Sequence, residues 1–153
     1  MTDDERYMRR ALELAAEAAA EGEVPVGAVV VKRSTGEIVG EGRNRRELGK
    51  SPLAHAEIIA IDEASRRLGG WRLVDCALYV TLEPCPMCAG AVINSRVERL
   101  VYGASDKKAG SCGSVVDLFS YPYNHIPEIE RGVLADECAA VLSEFFKELR
   151  RKK

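Results

Sequence analysis

Two cysteines three residues apart stand in the run Pro84-Cys85-Pro86-Met87-Cys88, and no other feature constrains the chain so tightly. Pro84 closes the β-type run Cys76-Ala77-Leu78-Tyr79-Val80-Thr81-Leu82, and Cys85 opens a helix expected to reach about Asn94. Side chains three apart on a first helical turn point the same way, so both sulfurs can reach one ion. A helix N-terminus also favours anionic ligands and lowers thiol pKa values. The spacing therefore predicts a strand end and a helix start meeting at a metal.

A second segment supplies what the cysteines lack. His55-Ala56-Glu57 falls where a helical pattern begins, at Ala54 or His55, and runs to Leu68 with Ile58, Ile61, Ala64 and Leu68 on one face. Zinc accepts two thiolates and one imidazole, and three protein ligands rather than four mark a catalytic site. His55, Cys85 and Cys88 are thus the candidate zinc ligands. Residues two apart on a regular helix point to nearly opposite sides, since each turns the direction by about 100°. Glu57 can share the site only if the metal lies off the helix N-terminus and His55 sits in its first, irregular turn. It would then act on water beside the metal as general acid–base without ligating the metal.

Each segment alone is weak. His-x-Glu arises often by chance, and Cys-x-x-Cys also suits a redox pair or half of a structural zinc site. Pro86-Met87 fits a redox pair poorly. A structural zinc would need a fourth ligand, for which Cys76 or Cys112 are candidates. Cys138 falls on the expected buried stripe of the last helix, and His125 is read as a structural hydrogen-bonding residue.

The rest of the chain alternates strands and helices. Thr2-Asp3-Asp4-Glu5 has the form of a capping box, opening a helix to about Ala20 with Met8, Leu12, Ala15 and Ala19 on one stripe. Gly22 stops it. Val26 to Val31 and Ile38 to Gly42 form a hairpin about Gly36, and Asn44 to Leu53 is an irregular basic loop. Val97 to Gly103 is a strand and Ala104 to Gly113 a loop. Ser114 to Phe119 is expected as a short helix and Ile129 to Leu134 as a final strand. The last helix runs from Ala135 to Arg150, with Cys138, Val141, Leu142, Phe145 and Leu149 as its stripe. This alternation predicts a three-layer α/β/α fold, and with no repeat or linker the 153 residues are read as a single domain.

Hydrophobic residues make up 46% and no run approaches the roughly 20 apolar residues of a membrane span. Acids at the N-terminus where a signal peptide carries bases, and five cysteines without a disulfide-scaffold spacing, place the chain in the cytoplasm. The net charge of −2 gives little sign of a nucleic-acid partner, but bases cluster at Arg43, Arg45, Arg46 and Lys50 and again at Lys147, Arg150, Arg151, Lys152 and Lys153.

The combined signature is that of zinc-dependent nucleobase deaminases, and the chain resembles the bacterial tRNA adenosine deaminase (TadA) family nearly end to end. The resemblance is carried by residues 23–29, Gly42-Arg43-Asn44, His55-Ala56-Glu57 and residues 79–91. Downstream it is carried by residues 102–110, Asn124-His125 and residues 132–138. It implies a cytidine deaminase-like fold with a central five-stranded mixed sheet, one Zn²⁺ per subunit, and a homodimer. It further implies hydrolytic conversion of adenosine to inosine at wobble position 34 of a tRNA anticodon stem-loop. By this likeness Asn44 would hydrogen-bond the base, and Val26 and His55 would sandwich it. The Ala56 N–H would help hold it, and Asp106 would lie in the loop that touches the sugar. The residues alone read Asn44 as a loop-capping amide and Asp106 as a turn residue. The basic clusters and Phe146 become candidate substrate-facing groups. A free base or nucleoside such as guanine or cytidine, single-stranded DNA for an engineered variant, and a non-catalytic zinc-stabilised binding module are the alternatives.

Overall fold

The computed structural model describes residues 1–152. Its elements are α1 (Asp3–Ala20), β1 (Gly27–Lys32), β2 (Glu37–Arg43), α2 (Ala56–Leu68), β3 (Cys76–Leu82), α3 (Pro86–Ser95), β4 (Arg99–Ala104), β5 (Glu128–Arg131) and α4 (Ala135–Arg151). The strands form one mixed sheet in the order β2-β1-β3-β4-β5. β1 runs antiparallel to β2 and β3, whereas β3, β4 and β5 are parallel. No described helix is long and apolar enough to cross a membrane.

Strand alternation sorts the core into two halves. Ala28 and Val30 of β1, Leu78 and Val80 of β3, and Leu100 and Tyr102 of β4 face α2 and α3. Val29, Val31, Ala77, Tyr79 and Val101 face α1 and α4 on the other side. These runs are apolar throughout because both faces of the sheet are covered.

The helices sit close because their contact faces are small. A Cβ at Gly27 would lie 1.9 Å from the Ala11 carbonyl oxygen, and one at Gly42 would lie 2.2 Å from that of Ala56. The buried face of α1 is therefore Met8, Ala11, Leu14, Ala15 and Ala18, rotated from the stripe that the larger residues suggest; Leu12 and Ala19 are half-buried. Likewise α2 buries Ala56, Glu57, Ala60 and Ala64 and leaves Leu68 exposed. On α4 only Cys138 is fully buried, and Leu149 is exposed because the helix runs past the sheet.

Other boundaries shift for local reasons. The segment expected as a helix from Ser114 to Phe119 forms only a single 3₁₀ turn, Leu118–Ser120, capped by Asp117. The last strand stops at Arg131 because Gly132 and Leu134 both take positive φ. His125 Nε2 donates to the Val97 carbonyl oxygen at 2.7 Å, a structural hydrogen bond.

The capping box at Thr2 and Glu5 forms as expected. Beside it, Asp4 accepts two hydrogen bonds from Arg99, at 2.7 and 2.8 Å, and one from the Tyr79 hydroxyl, at 2.7 Å, tying α1 to β3 and β4. The Arg99 hydrogen bond holds the Asp4 carboxyl below its ordinary value against the cost of burial. Its stabilisation is therefore complete above the unfolded value of about 3.9 and is lost as pH falls through the lower folded value. Asp4→Asn should cost about 1–3 kcal/mol in urea unfolding at pH 7. The gap between variant and parent should narrow by pH 3.

Candidate active site

Topology brings four chain segments to one edge of the sheet. Ala28 pairs with Val80, so the start of the antiparallel strand β1 lies beside the end of β3. Gly27 pairs with Arg43, which sets the end of β2 at the same edge, where the Asn44 N–H donates to the Val26 carbonyl. The parallel neighbour β4 ends there too, at Ala104 opposite Leu82. The N-termini of α2 and α3 complete the edge.

Both helices begin on a candidate ligand. His55 is the N-cap of α2 and Cys85 the N-cap of α3, each with extended φ and ψ. Neither side chain caps its own helix, so both are free to turn outward. Pro86 occupies the first turn of α3, where its missing N–H has no intrahelical role. The Sγ atoms of Cys85 and Cys88 lie 3.7 and 3.6 Å from His55 Nδ1. All three donor atoms lie within 4.8 Å of one another. Tetrahedral zinc with Zn–S of about 2.3 Å and Zn–N of about 2.0–2.1 Å separates its nitrogen and sulfur ligands by roughly 3.6 Å. The donor set therefore fits zinc in both chemistry and spacing. Cys76 and Cys112 are buried elsewhere and do not join the group, which removes the four-ligand structural alternative among the described residues.

Glu57, in the first turn of α2, is 4% exposed. Burial pushes its carboxyl up to about 7, against the pull of His55. Hydrogen bonding to Cys88 outweighs burial and, with His55, holds the Cys85 thiol down to about 4, while Cys88 is driven upward by the same contact. Two thiols that share one proton titrate in this way.

The site opens into a cleft of about 550 Å³. Val26, Asn44, His55, Ala56, Glu57, Cys85 and Asp106 all line it, so the structure gathers every one of those candidates; Cys88 lies behind them, fully buried. Asn44 and Asp106 also perform local duties. Asn44 Nδ2 donates to the Val24 carbonyl at 3.1 Å, and its oxygen accepts from the Arg46 N–H at 3.3 Å. Asp106 Oδ1 accepts from the N–H groups of Lys108 and Ala109, at 3.0 and 3.3 Å.

The cleft wall includes residues that the patterns alone did not single out, namely Glu83, Lys107 and Lys108. Phe146, 39% exposed on α4, lines it with Leu142. Of the basic clusters, Arg46 lines the cleft, whereas Arg43 is drawn away by Glu21 at 2.8 Å and Arg151 by Glu148 at 2.7 Å. Lys153 lies outside the described residues. A second buried carboxylate, Glu23, accepts from the N–H groups of Glu47 and Leu48 and holds the loop after Asn44. For Glu83 the available signal was an acid closing the apolar run of β3; Glu23, which follows Glu21-Gly22, carried no such signal.

Comparison with known proteins agrees with this geometry. The model of the cytidine and deoxycytidylate deaminase zinc-binding region matches residues 1–104. A tRNA-specific adenosine deaminase of Bacillus subtilis is 52% identical over 154 aligned residues, spanning 100% of this chain and 94% of that protein. A solved structure from a study of A-to-I editing by tRNA:A34 deaminases at the wobble position superposes with a TM-score of 0.86. It is 42% identical, covering 90% of this chain and 99% of its own. A guanine deaminase from Nitrosomonas europaea superposes with a TM-score of 0.76 at 30% identity, covering 92% of this chain and 83% of its own.

Removing one of the three donors should abolish metal retention. Cys88→Ser is expected to weaken zinc binding by more than the ~10–100-fold typical of losing an outer-sphere partner. Metal analysis after dialysis against a mild chelator checks this.

Proposed function

The chain belongs to the cytidine and deoxycytidylate deaminase zinc-binding family, and we propose that it converts adenosine to inosine at wobble position 34 of a tRNA anticodon stem-loop. One observation carries the reading: 52% identity across the whole chain to a tRNA-specific adenosine deaminase. The cleft supports it. Arg46, Lys107 and Lys108 stand at its wall, and none of them forms an ion pair among the described residues. A polyanion rather than a free base is the ligand such a rim suits. The guanine deaminase likeness shares the fold at lower identity, and free guanine or cytidine is the alternative substrate class.

His55, Cys85 and Cys88 would hold one zinc per subunit. Zinc there supplies Lewis acidity that makes water a nucleophile near neutral pH. Glu57 would carry the first proton of the attacking water to N1 of the purine and then the remaining hydroxyl proton to the departing amine, so that water and adenosine become inosine and ammonia. Its burial beside the three donors suits both halves of the task. Val26 and the His55 ring cover the faces of the base. The Ala56 N–H and the remaining Asn44 amide proton would orient it and Asp106 would face the sugar; all three residues line the cleft, which supports the assignment. A nucleotide in a single-stranded loop needs little energy to leave its stack, which suits a small enzyme. By family likeness the enzyme works in the cytoplasm as a homodimer.

The purified protein should form inosine in an arginine tRNA anticodon stem-loop bearing adenosine 34. Glu57→Ala should keep its zinc and lose at least ~10²–10⁴-fold in rate. Turnover of free guanine or cytidine with the stem-loop inert would reverse the choice of substrate. Loss of zinc in Glu57→Ala would make that residue a ligand. Lys108→Ala should weaken stem-loop binding and reduce the log–log salt slope by roughly 1.

A further inference from the structure

Glu83 is 2% exposed, and it sits two residues before the candidate ligand Cys85. No base pairs with it among the described residues. Its charge is met by four donors, and all four come from one segment. Oε1 accepts from the Asp106 N–H at 3.0 Å and from the Ser114 hydroxyl. Oε2 accepts from the N–H groups of Cys112 and Ser114, both at 3.1 Å. The main chain follows the same path, with the Glu83 N–H donating to Ala104 and the Ser111 N–H to Pro84. A Cβ at Gly110 would lie 2.4 Å from Glu83 Cδ, so the segment closes onto the carboxylate with no room for a side chain.

The enclosed segment is the cleft wall that carries Ser105, Asp106, Lys107, Lys108 and Ala109. Its internal turns do not depend on Glu83. The Gly110 N–H donates to Asp106, Val115 to Gly110 and Leu118 to Ser111. What Glu83 supplies is the docking of that prefolded loop onto the end of β3, beside the metal donors.

We propose that Glu83 is a positioning residue for substrate, fixing the Asp106-to-Ser114 loop at a set distance from the Cys85 strand end so that the nucleotide-facing wall is preformed. This rests on the stem-loop reading given above. Hydrogen bonds to a charged group are among the stronger ones, and losing the acceptor strands buried N–H groups. In Glu83→Gln the amide nitrogen would face backbone donors that cannot reverse, so the loop would undock without loss of bulk. Ser114→Ala removes one bond of the four, and Ser114→Thr keeps it.

The test compares parent, Glu83→Gln, Ser114→Ala and Ser114→Thr by zinc content, steady-state deamination of the adenosine-34 stem-loop, and limited trypsin digestion. Zinc content should be equal. Glu83→Gln should lose about 10- to 100-fold in kcat/KM, chiefly through KM. Ser114→Ala should lose roughly 3- to 10-fold, and Ser114→Thr should match the parent. Trypsin should cut after Lys107 and Lys108 faster in Glu83→Gln, since local opening governs cleavage there. Parental KM and an unchanged digestion pattern in Glu83→Gln would overturn the proposal. So would variants that only melt earlier while each zinc-loaded molecule keeps parental kcat/KM. Should Glu83→Gln fail to fold, the Ser114 pair decides by the same criteria. A parent inert on the stem-loop would overturn the substrate reading instead, and the selectivity of trypsin cleavage would then decide the role of Glu83.

Discussion

Everything at the candidate active edge depends on two helices that each begin on a candidate metal ligand. His55 and Cys85 are N-caps, outside the regular turns that follow them. That placement frees the side chains to point off the helix ends, toward each other and toward the partial positive charge there. It also resolves the spacing of His55 and Glu57, which on a continuous helix would diverge. With His55 outside the helix and Glu57 in its first turn, both line one cleft. The sheet enforces the meeting. β3 delivers Cys85, and the close contact of α2 with Gly40 and Gly42 of β2 fixes where His55 stands.

The local elements that depend on short-range chemistry were readable. The capping box at Thr2, the exact run of β3 from Cys76 to Leu82, and Cys85 at the head of α3 all follow from rules acting within a few residues. The convergence of His55, Cys85 and Cys88 was readable because two thiols and an imidazole at helix starts have few other uses. The helix faces were less so. Helical spacing suggests Ile58, Ile61, Ala64 and Leu68 as the buried side of α2, but of these only Ala64 is fully buried, because glycines on a neighbouring strand draw in Ala56, Ala60 and Ala64. That choice is made by a distant segment, and no window along the helix contains it. The same holds for α4, where an apolar stripe is only partly covered because the helix outruns the sheet.

Glu23 and Glu83 illustrate a further kind of hidden information. Each carboxylate is buried, and each takes its hydrogen bonds from a loop on one side of the cleft: residues 47 and 48 for Glu23, residues 106 to 114 for Glu83. Apart from the Ser114 hydroxyl on Glu83, their partners are backbone N–H groups, which leave no mark in the sequence. The loops flanking the cleft are thereby held by acids other than Glu57, whose own carboxyl is pushed up by burial. In the proposed function this division would separate proton transfer at Glu57 from positioning by Glu23 and Glu83, with strand and helix ends carrying the chemistry and clamped loops the recognition.

The central claim is that His55, Cys85 and Cys88, and no other cysteine, hold zinc beside Glu57. X-ray absorption at the zinc edge of the purified protein tests it most directly. The geometry predicts a four-coordinate ion with two sulfurs near 2.3 Å and two lighter donors near 2.0–2.1 Å. A third sulfur, recruited from Cys76 or Cys112, would make the site structural and contradict the account.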